Sequence, residues 1–266
     1  MRFKTKVVFL LLALSFLAAS AGCGRTEVTE EFFQSYQVRS GTVLEIYNPN
    51  GSVTVTGWDG NEVEIAALKT SFYGQSALDE VDIYIDIAET LVIRTEHPEG
   101  AAQASVSYEI KIPEDLLVGV IECSNGDIIL QDAAGNPTLT TSNGSITATN
   151  VNGIVTARSS NGNLTATGVR SLEELRTSNG NIVAEFPVLH GNLEIRTSNG
   201  SISLSLPANL AADLEASTSN GSINVANLNV ETTILEQNNL VGSMNGGGHK
   251  ITLTTSNGSI ELARLR

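Results

Sequence analysis

The stretch Leu139-Thr140-Thr141-Ser142-Asn143-Gly144-Ser145-Ile146-Thr147-Ala148-Thr149 decides the fold, because it recurs. Ser-Asn-Gly begins at 124, 142, 160, 178, 198, 219 and 256, at spacings of 18, 18, 18, 20, 21 and 37 residues. A degenerate copy, Gln237-Asn238-Asn239, sits in the last gap, so the sequence predicts eight consecutive units. Self-similarity at a fixed short period is the mark of stacked repeats. A unit of 18 residues cannot bury its own apolar side, and stacking on a neighbour supplies the core.

Aligned on the serine, the units show period two. Three positions before it stand Ile121, Leu139, Ala157, Leu175, Ile195, Ala216 and Leu253, all apolar. One position before it the residues are small, as in Cys123, Thr141, Ser159 and Thr177. Two after the glycine come Ile128, Ile146, Leu164, Ile182, Ile202, Ile223 and Ile260, with polar residues between the apolar columns. That alternation is strand patterning with one face buried. Each unit reads as strand, bend, strand and return turn. The bends are Asn125-Gly126, Asn143-Gly144, Asn161-Gly162, Asn179-Gly180, Asn199-Gly200, Asn220-Gly221 and Asn257-Gly258, where glycine is expected for its tolerance of positive φ. The expected fold is all-β, a parallel β-solenoid of about 18-residue coils, with a flattened two-sheet and a three-sided cross-section both compatible with the pattern. Same-column residues then lie one strand spacing apart, about 4.8 Å.

Residues 119–266 are the solenoid on this reading. Residues 36–118 are similar but irregular: Asn50-Gly51 carries Leu44 and Ile46 before it and Val53 and Val55 after it, and further strand-like runs cover 63–68, 81–87 and 105–112. This part is expected to be an N-terminal, partly antiparallel β-sheet cap, since an open β-edge invites further pairing. The C-terminal edge would be guarded only by Arg264 and Arg266.

Residues 1–22 join a basic start (Arg2, Lys4, Lys6) to a short apolar core and end in Ser20-Ala21-Gly22 before Cys23, which describes a secretory signal. The Ala21-Gly22-Cys23 tail resembles a bacterial lipoprotein signal. That resemblance implies diacylglycerol on the Cys23 thiol, an associated palmitate, and a lipid bilayer as partner. Residues 23–35 then form a lipidated tether, with Phe32 and Phe33 alternatively beginning to dock on the body. Gly24, where retained inner-membrane lipoproteins commonly carry aspartate, points to the outer membrane where one exists and otherwise to the outer face of the cytoplasmic membrane.

The whole chain has 15 basic and 29 acidic residues, a charge of −14. Removing the signal leaves 12 basic against 29 acidic residues, or −17, so lipid rather than charge must hold the protein to an anionic surface. The same imbalance argues against nucleic acid, whose binding rests on Lys and Arg neutralising phosphates. With Cys23 committed, Cys123 has no disulfide partner and reads as a buried spacer.

Val53-Thr54-Val55-Thr56-Gly57-Trp58, Ile110-Lys111-Ile112-Pro113 and the Thr-Ser-Asn-Gly-Ser-Ile units together resemble a bacterial family of proposed adhesins. It is a domain of unknown function related to the toast-rack domains of envelope-stress proteins. The resemblance spans roughly residues 40–263 and implies an extracytoplasmic β-solenoid with an adhesive or envelope role and no catalytic residues.

Two columns are candidate surfaces. Arg158, Arg176 and Arg196 fall on successive units beside Glu174, Glu194 and Glu215. They form either a solvated face of compensating charges or a regular surface for an envelope protein or an acidic polysaccharide. The asparagine column is expected to be structural. Acidic residues are scattered rather than grouped into oxygen cages, so no metal and no cofactor are expected. An inverting hydrolase would need facing carboxylates roughly 6.5–9.5 Å apart, and the glutamates here repeat beside arginines instead. The glycine-rich loop Gly246-Gly247-Gly248-His249-Lys250 reads as a connection. The expected function is non-enzymatic: a membrane-anchored solenoid for adhesion or partner binding, with a scaffolding module of the envelope-stress response as the alternative and a carbohydrate-active enzyme as a more remote one.

Overall fold

The computed structural model describes residues 26–97 and 103–265; Cys23 lies outside the described residues. The strands are β1 (Val28–Tyr36), β2 (Val43–Asn50), β3 (Val53–Trp58), β4 (Val63–Ser71), β5 (Asp82–Ile87), β6 (Thr90–Glu96), β7 (Ala104–Pro113), β8 (Leu117–Asn125), β9 (Ile128–Gln131), β10 (Thr138–Asn143), β11 (Ile146–Thr149), β12 (Ile154–Asn161), β13 (Leu164–Thr167), β14 (Ser171–Arg176), β15 (Ile182–Glu185), β16 (Leu193–Arg196), β17 (Ile202–Leu206), β18 (Ala212–Asn220), β19 (Ile223–Ala226), β20 (Glu231–Leu235), β21 (Asn239–Met244), β22 (His249–Asn257) and β23 (Ile260–Arg264). One short helix, α1 (Gln75–Asp79), follows β4.

These strands form two sheets, of 11 and 12 strands, and each coil gives one strand to each. The cross-section is therefore the flattened, two-sheet one. Parallel pairing is in register column by column: Leu139 lies against Ile121 and Ala157, and Ile146 against Ile128 and Leu164. The inward columns pack between the sheets, with Ile121, Leu139, Leu175, Ile195, Ile182 and Ile260 fully buried. In the first coil of the stack, Tyr108 on β7 reaches Thr95 on β6 through a buried 2.7 Å hydrogen bond that ties one sheet to the other.

Three kinds of lateral contact stitch the bends. The side-chain amides form a one-way ladder, each Nδ2 donating to the Oδ1 of its neighbour from Asn125→Asn50 through Asn143, Asn161, Asn179, Asn199 and Asn257 to Asn220, at 2.7–2.9 Å. The small column before the serine donates to a glycine carbonyl of the adjacent coil, as in Thr141 to Gly126 (3.0 Å) and Ser159 to Gly144 (2.9 Å). Cys123 Sγ makes the same contact to Gly51 at 3.2 Å. Backbone N–H groups of the residue after glycine reach the side chain in the same column, as in Ser145 to Asp127 at 2.7 Å.

The expected reason for glycine at the bend holds at only some of the bends: Gly51 (φ 109°), Gly126 (φ 158°), Gly200 (φ 159°) and Gly258 (φ 155°) take positive φ. Gly144, Gly162, Gly180 and Gly221 do not take a left-handed φ; a Cβ on Gly162 would instead sit 1.9 Å from the Gly144 carbonyl oxygen. Close approach of consecutive coils excludes any side chain there. The return turn also carries left-handed backbone, at Asp132 (φ 52°), Asn150 (φ 54°) and Gly168 (φ 63°), one column of the residue types that accept it.

The order of coils is also corrected. Among the described residues nine coils stack in the order β6/β7, β2/β3, β8/β9, β10/β11, β12/β13, β14/β15, β16/β17, β22/β23, β18/β19. The last coil in the chain thus lies one place in from the end, between its two predecessors, pairing in parallel with both. Gln237-Asn238-Asn239 is not a unit of the stack: it is the turn of an antiparallel hairpin, β20–β21, closed by Glu236 N–H to the Asn239 carbonyl at 2.8 Å. Asn239 stands where the other units have glycine, and its Cβ is incompatible with the tight approach those bends make. β21 then covers β18 in antiparallel fashion. The edges at this end are β19 and β20, so Arg264 guards neither. β20 protects its own edge with a register irregularity between Thr232 and Ile234.

The N-terminal region repeats this plan. In this region β2/β3 and β6/β7 are coils of the same stack, and only the pairings of β5 with β6, β4 with β7 and β1 with β4 are antiparallel. The tether expected over 23–35 is shortened, because Val28–Tyr36 is the edge strand β1, paired along its whole length with β4. Alternation drives this: Val28, Phe32 and Tyr36 pack against the core while Phe33 points away.

Candidate binding face

The outward side of the 12-stranded sheet carries a continuous row across the stack. Reading neighbour to neighbour it runs Tyr84, Arg94, Tyr47, Glu122, Thr140, Arg158, Arg176, Arg196, Thr254 and Ser217. Arg158, Arg176 and Arg196 are direct cross-strand partners and all three are exposed.

Their compensation differs from the expectation of matched ladders. Glu174 and Glu194 are neighbours, but Thr252 separates Glu194 from Glu215, because the last coil has entered between them. Arg158 is held by Glu174, with Nε to Oε1 at 3.0 Å and Nη2 to Oε2, and this pairing raises the Arg158 pKa further. Glu215 pairs with Lys250. Among the described residues Arg176 and Arg196 have no ion-pair partner, although they sit one strand spacing apart in a strongly acidic protein. Directly opposed like charges are unfavourable unless something anionic relieves them.

Further along the row, the Arg94 guanidinium lies over the Tyr47 ring at 5.3 Å from its centroid, and Tyr47 Oη donates to Glu45 at 3.0 Å. Burial first, then the Glu45 carboxylate, pushes the Tyr47 pKa up. Beside this pair is an open groove of about 420 Å³ lined by Tyr47, Arg94, Glu122, Ser124, Thr140 and Ser142. The groove offers a stacked cation, an acid and hydroxyls, and the arginine row continues it. Repeat spacing located the three arginines. Tyr47, Arg94 and Tyr84 carry no such signal, since their strands fall outside the 18-residue period and join the row only through the coil order.

Among the described residues no group of three or more His, Cys, Asp or Glu side chains could hold a metal. No described helix is long and apolar enough to cross a membrane. The glycine-rich loop is the tight β21–β22 connection, with Gly246 (φ 86°) and Gly247 (φ 82°) turning the chain. Cys123 is buried, and desolvation pushes its thiol up to about 11.

Comparison with curated proteins finds no match. Among solved structures, a proposed cell adhesion protein of Clostridium sporogenes is 10% identical, covering 90% of this chain and 100% of its own, with a TM-score of 0.39. A proposed adhesin of Parabacteroides distasonis is 11% identical, covering 88% and 97%, with a TM-score of 0.40. One from Bacteroides fragilis is 10% identical, covering 89% and 97%, with a TM-score of 0.36. The model of the Toastrack DUF4097 family matches residues 99–263, more than half of the chain, and its repeats are the parallel coils described above, so the protein belongs to the toast-rack family.

Proposed function

We propose that this is a non-enzymatic, lipid-anchored protein of the bacterial cell envelope that presents the outward face of its 12-stranded sheet to a polyanionic partner. The observation that carries this reading is the unpaired, in-register Arg176 and Arg196. A surface paired only with itself would have set a carboxylate against each, as Glu174 does for Arg158. Repeating carboxylates or sulfates of an acidic polysaccharide, or an acidic strip of an envelope protein, match such a row, and the groove beside Arg94 extends it by hydroxyl and aromatic contacts. The anchor is the diacylglycerol on Cys23, on the outer membrane where the cell has one and otherwise on the outer face of the cytoplasmic membrane.

The test is binding of the mature protein to immobilised acidic polysaccharides over a salt series. Arg176→Ala/Arg196→Ala is expected to weaken binding about tenfold or more, the scale of losing charge-assisted contacts. An unchanged affinity overturns the face. Palmitate labelling of the natural chain, lost in Cys23→Ser, is the matching test of the anchor.

A further inference from the structure

We propose that the β1/β4 end of the stack is a second membrane contact, which sets the solenoid upright on the bilayer. The inference rests on the Cys23 anchor proposed above. Exposed large apolar side chains gather at this end: Phe33 is 65% exposed, Phe72 54%, Tyr73 53% and Leu68 39%. Phe33 on β1 and Leu68 on β4 point away from the core on adjoining strands, with Phe33 opposite Ala66 and Leu68 opposite Glu31. Phe72 and Tyr73 follow β4 directly, and Val28, the first residue of β1, is the partner of Ser71 just before them.

The occupant follows from chain length. Val28 is five residue steps beyond Cys23. Fully extended, those steps span at most about 17 Å, so a lipid on Cys23 brings the bilayer surface within reach of Phe72 and Tyr73. Aromatic rings favour the membrane–water interface, where an apolar body and a polar tip are both accommodated. Lipid chemistry also fits better than a charged partner, since Glu31 shares the face and the mature chain is acidic. A lipid anchor on a flexible N-terminus leaves a protein free to tumble, and a second apolar contact removes that freedom. The opposite end, β18/β19 with its hairpin, then stands roughly 43–48 Å away, nine strand spacings from β4 and ten from β1.

The experiment uses the lipidated mature chain in phosphatidylcholine vesicles, carrying Phe72→Cys labelled with an environment-sensitive fluorophore; Cys123 is buried and does not compete. Flotation reports the anchor, and quenching by lipids spin-labelled near the headgroup reports the contact. Expected are flotation, at least twofold quenching at 72, and none for the same label on Asn224→Cys in β19. Flotation without quenching at 72 overturns the proposal and leaves the anchor standing. Failure to float overturns both. Adding Phe33→Ser and Tyr73→Ser, with an unchanged β-sheet circular dichroism spectrum, is expected to abolish most of the quenching without preventing flotation. Undiminished quenching, or protection of the label through dimers in the absence of lipid, overturns it.

Discussion

Asn161 donates its side-chain amide to Oδ1 of Asn143 at 2.9 Å and accepts the amide of Asn179 at 2.8 Å. It is an interior rung of a ladder whose last rung, Asn220, makes one such bond, to Asn257 at 2.9 Å. At about 1 kcal/mol net per hydrogen bond, Asn161→Ala is expected to cost about 1–2 kcal/mol and Asn220→Ala about half as much. Urea unfolding of both variants checks this. Equal losses would mean the ladder is decoration on a structure held by its backbone.

The bend glycines make a sharper prediction. A methyl group on Gly162 meets the Gly144 carbonyl oxygen at 1.9 Å, whereas one on Gly191 in a return turn meets nothing within 4 Å. Gly162→Ala is expected to destabilise by about 3 kcal/mol, the upper range for overpacking, and Gly191→Ala by almost nothing. Thermal melts of the pair suffice.

Cys123 ties stability to alkaline pH. Burial raises its folded pKa from 9.0 to about 11, so the folded state holds the proton that the unfolded chain releases. Its contribution is complete below about pH 9 and is lost as pH rises towards 11, by roughly 2–3 kcal/mol in total. Thr stands in this column at 141 and 177, where its hydroxyl makes the same contact to glycine at 3.0 Å. Cys123→Thr is therefore expected to fold normally and to lose less stability between pH 9 and 11. Alkylation of the native protein below pH 9 is expected to be slow, as measured by mass spectrometry.

The arginine row separates stability from binding. Among the described residues Arg176 has no ion-pair partner, so Arg176→Thr is expected to leave stability within about 0.5 kcal/mol, on the favourable side as a like-charge contact disappears. Arg158→Ala removes an exposed pair with Glu174 and is expected to cost under about 1 kcal/mol. Calorimetry of the two, beside the polysaccharide binding assay, checks both.

The coil itself was legible in the sequence because its physics is local. Alternation around Ser-Asn-Gly places Ile146 inward and Thr147 outward whatever the neighbours are. Coil order was not legible, because stacking columns are interchangeable: Ile260 fits beside Ile202 and Ile223 equally well, and it pairs with both. By length, the 37-residue gap between the last two motifs has room for one more, degenerate coil at Gln237-Asn238-Asn239, but it holds a hairpin and a return. The same blindness hid half of the binding face. Arg94 and Tyr47 lie far apart in sequence and meet only because β6 pairs with β2. The glycine column is plain in the sequence, but the crowding that excludes a side chain there comes from the adjacent coil and has no trace in a single unit.

Both ends of the stack close with a coil placed one position inward, β2/β3 at one end and β22/β23 at the other, while antiparallel strands cover β6 and β18 outside them. A coil added at either terminus would enter inside the outermost coil rather than beyond it, past the strands that cover β6 and β18. Whole coils inserted or removed between β8 and β17 would leave both ends as they are, so the molecule's reach can be lengthened or shortened from its middle.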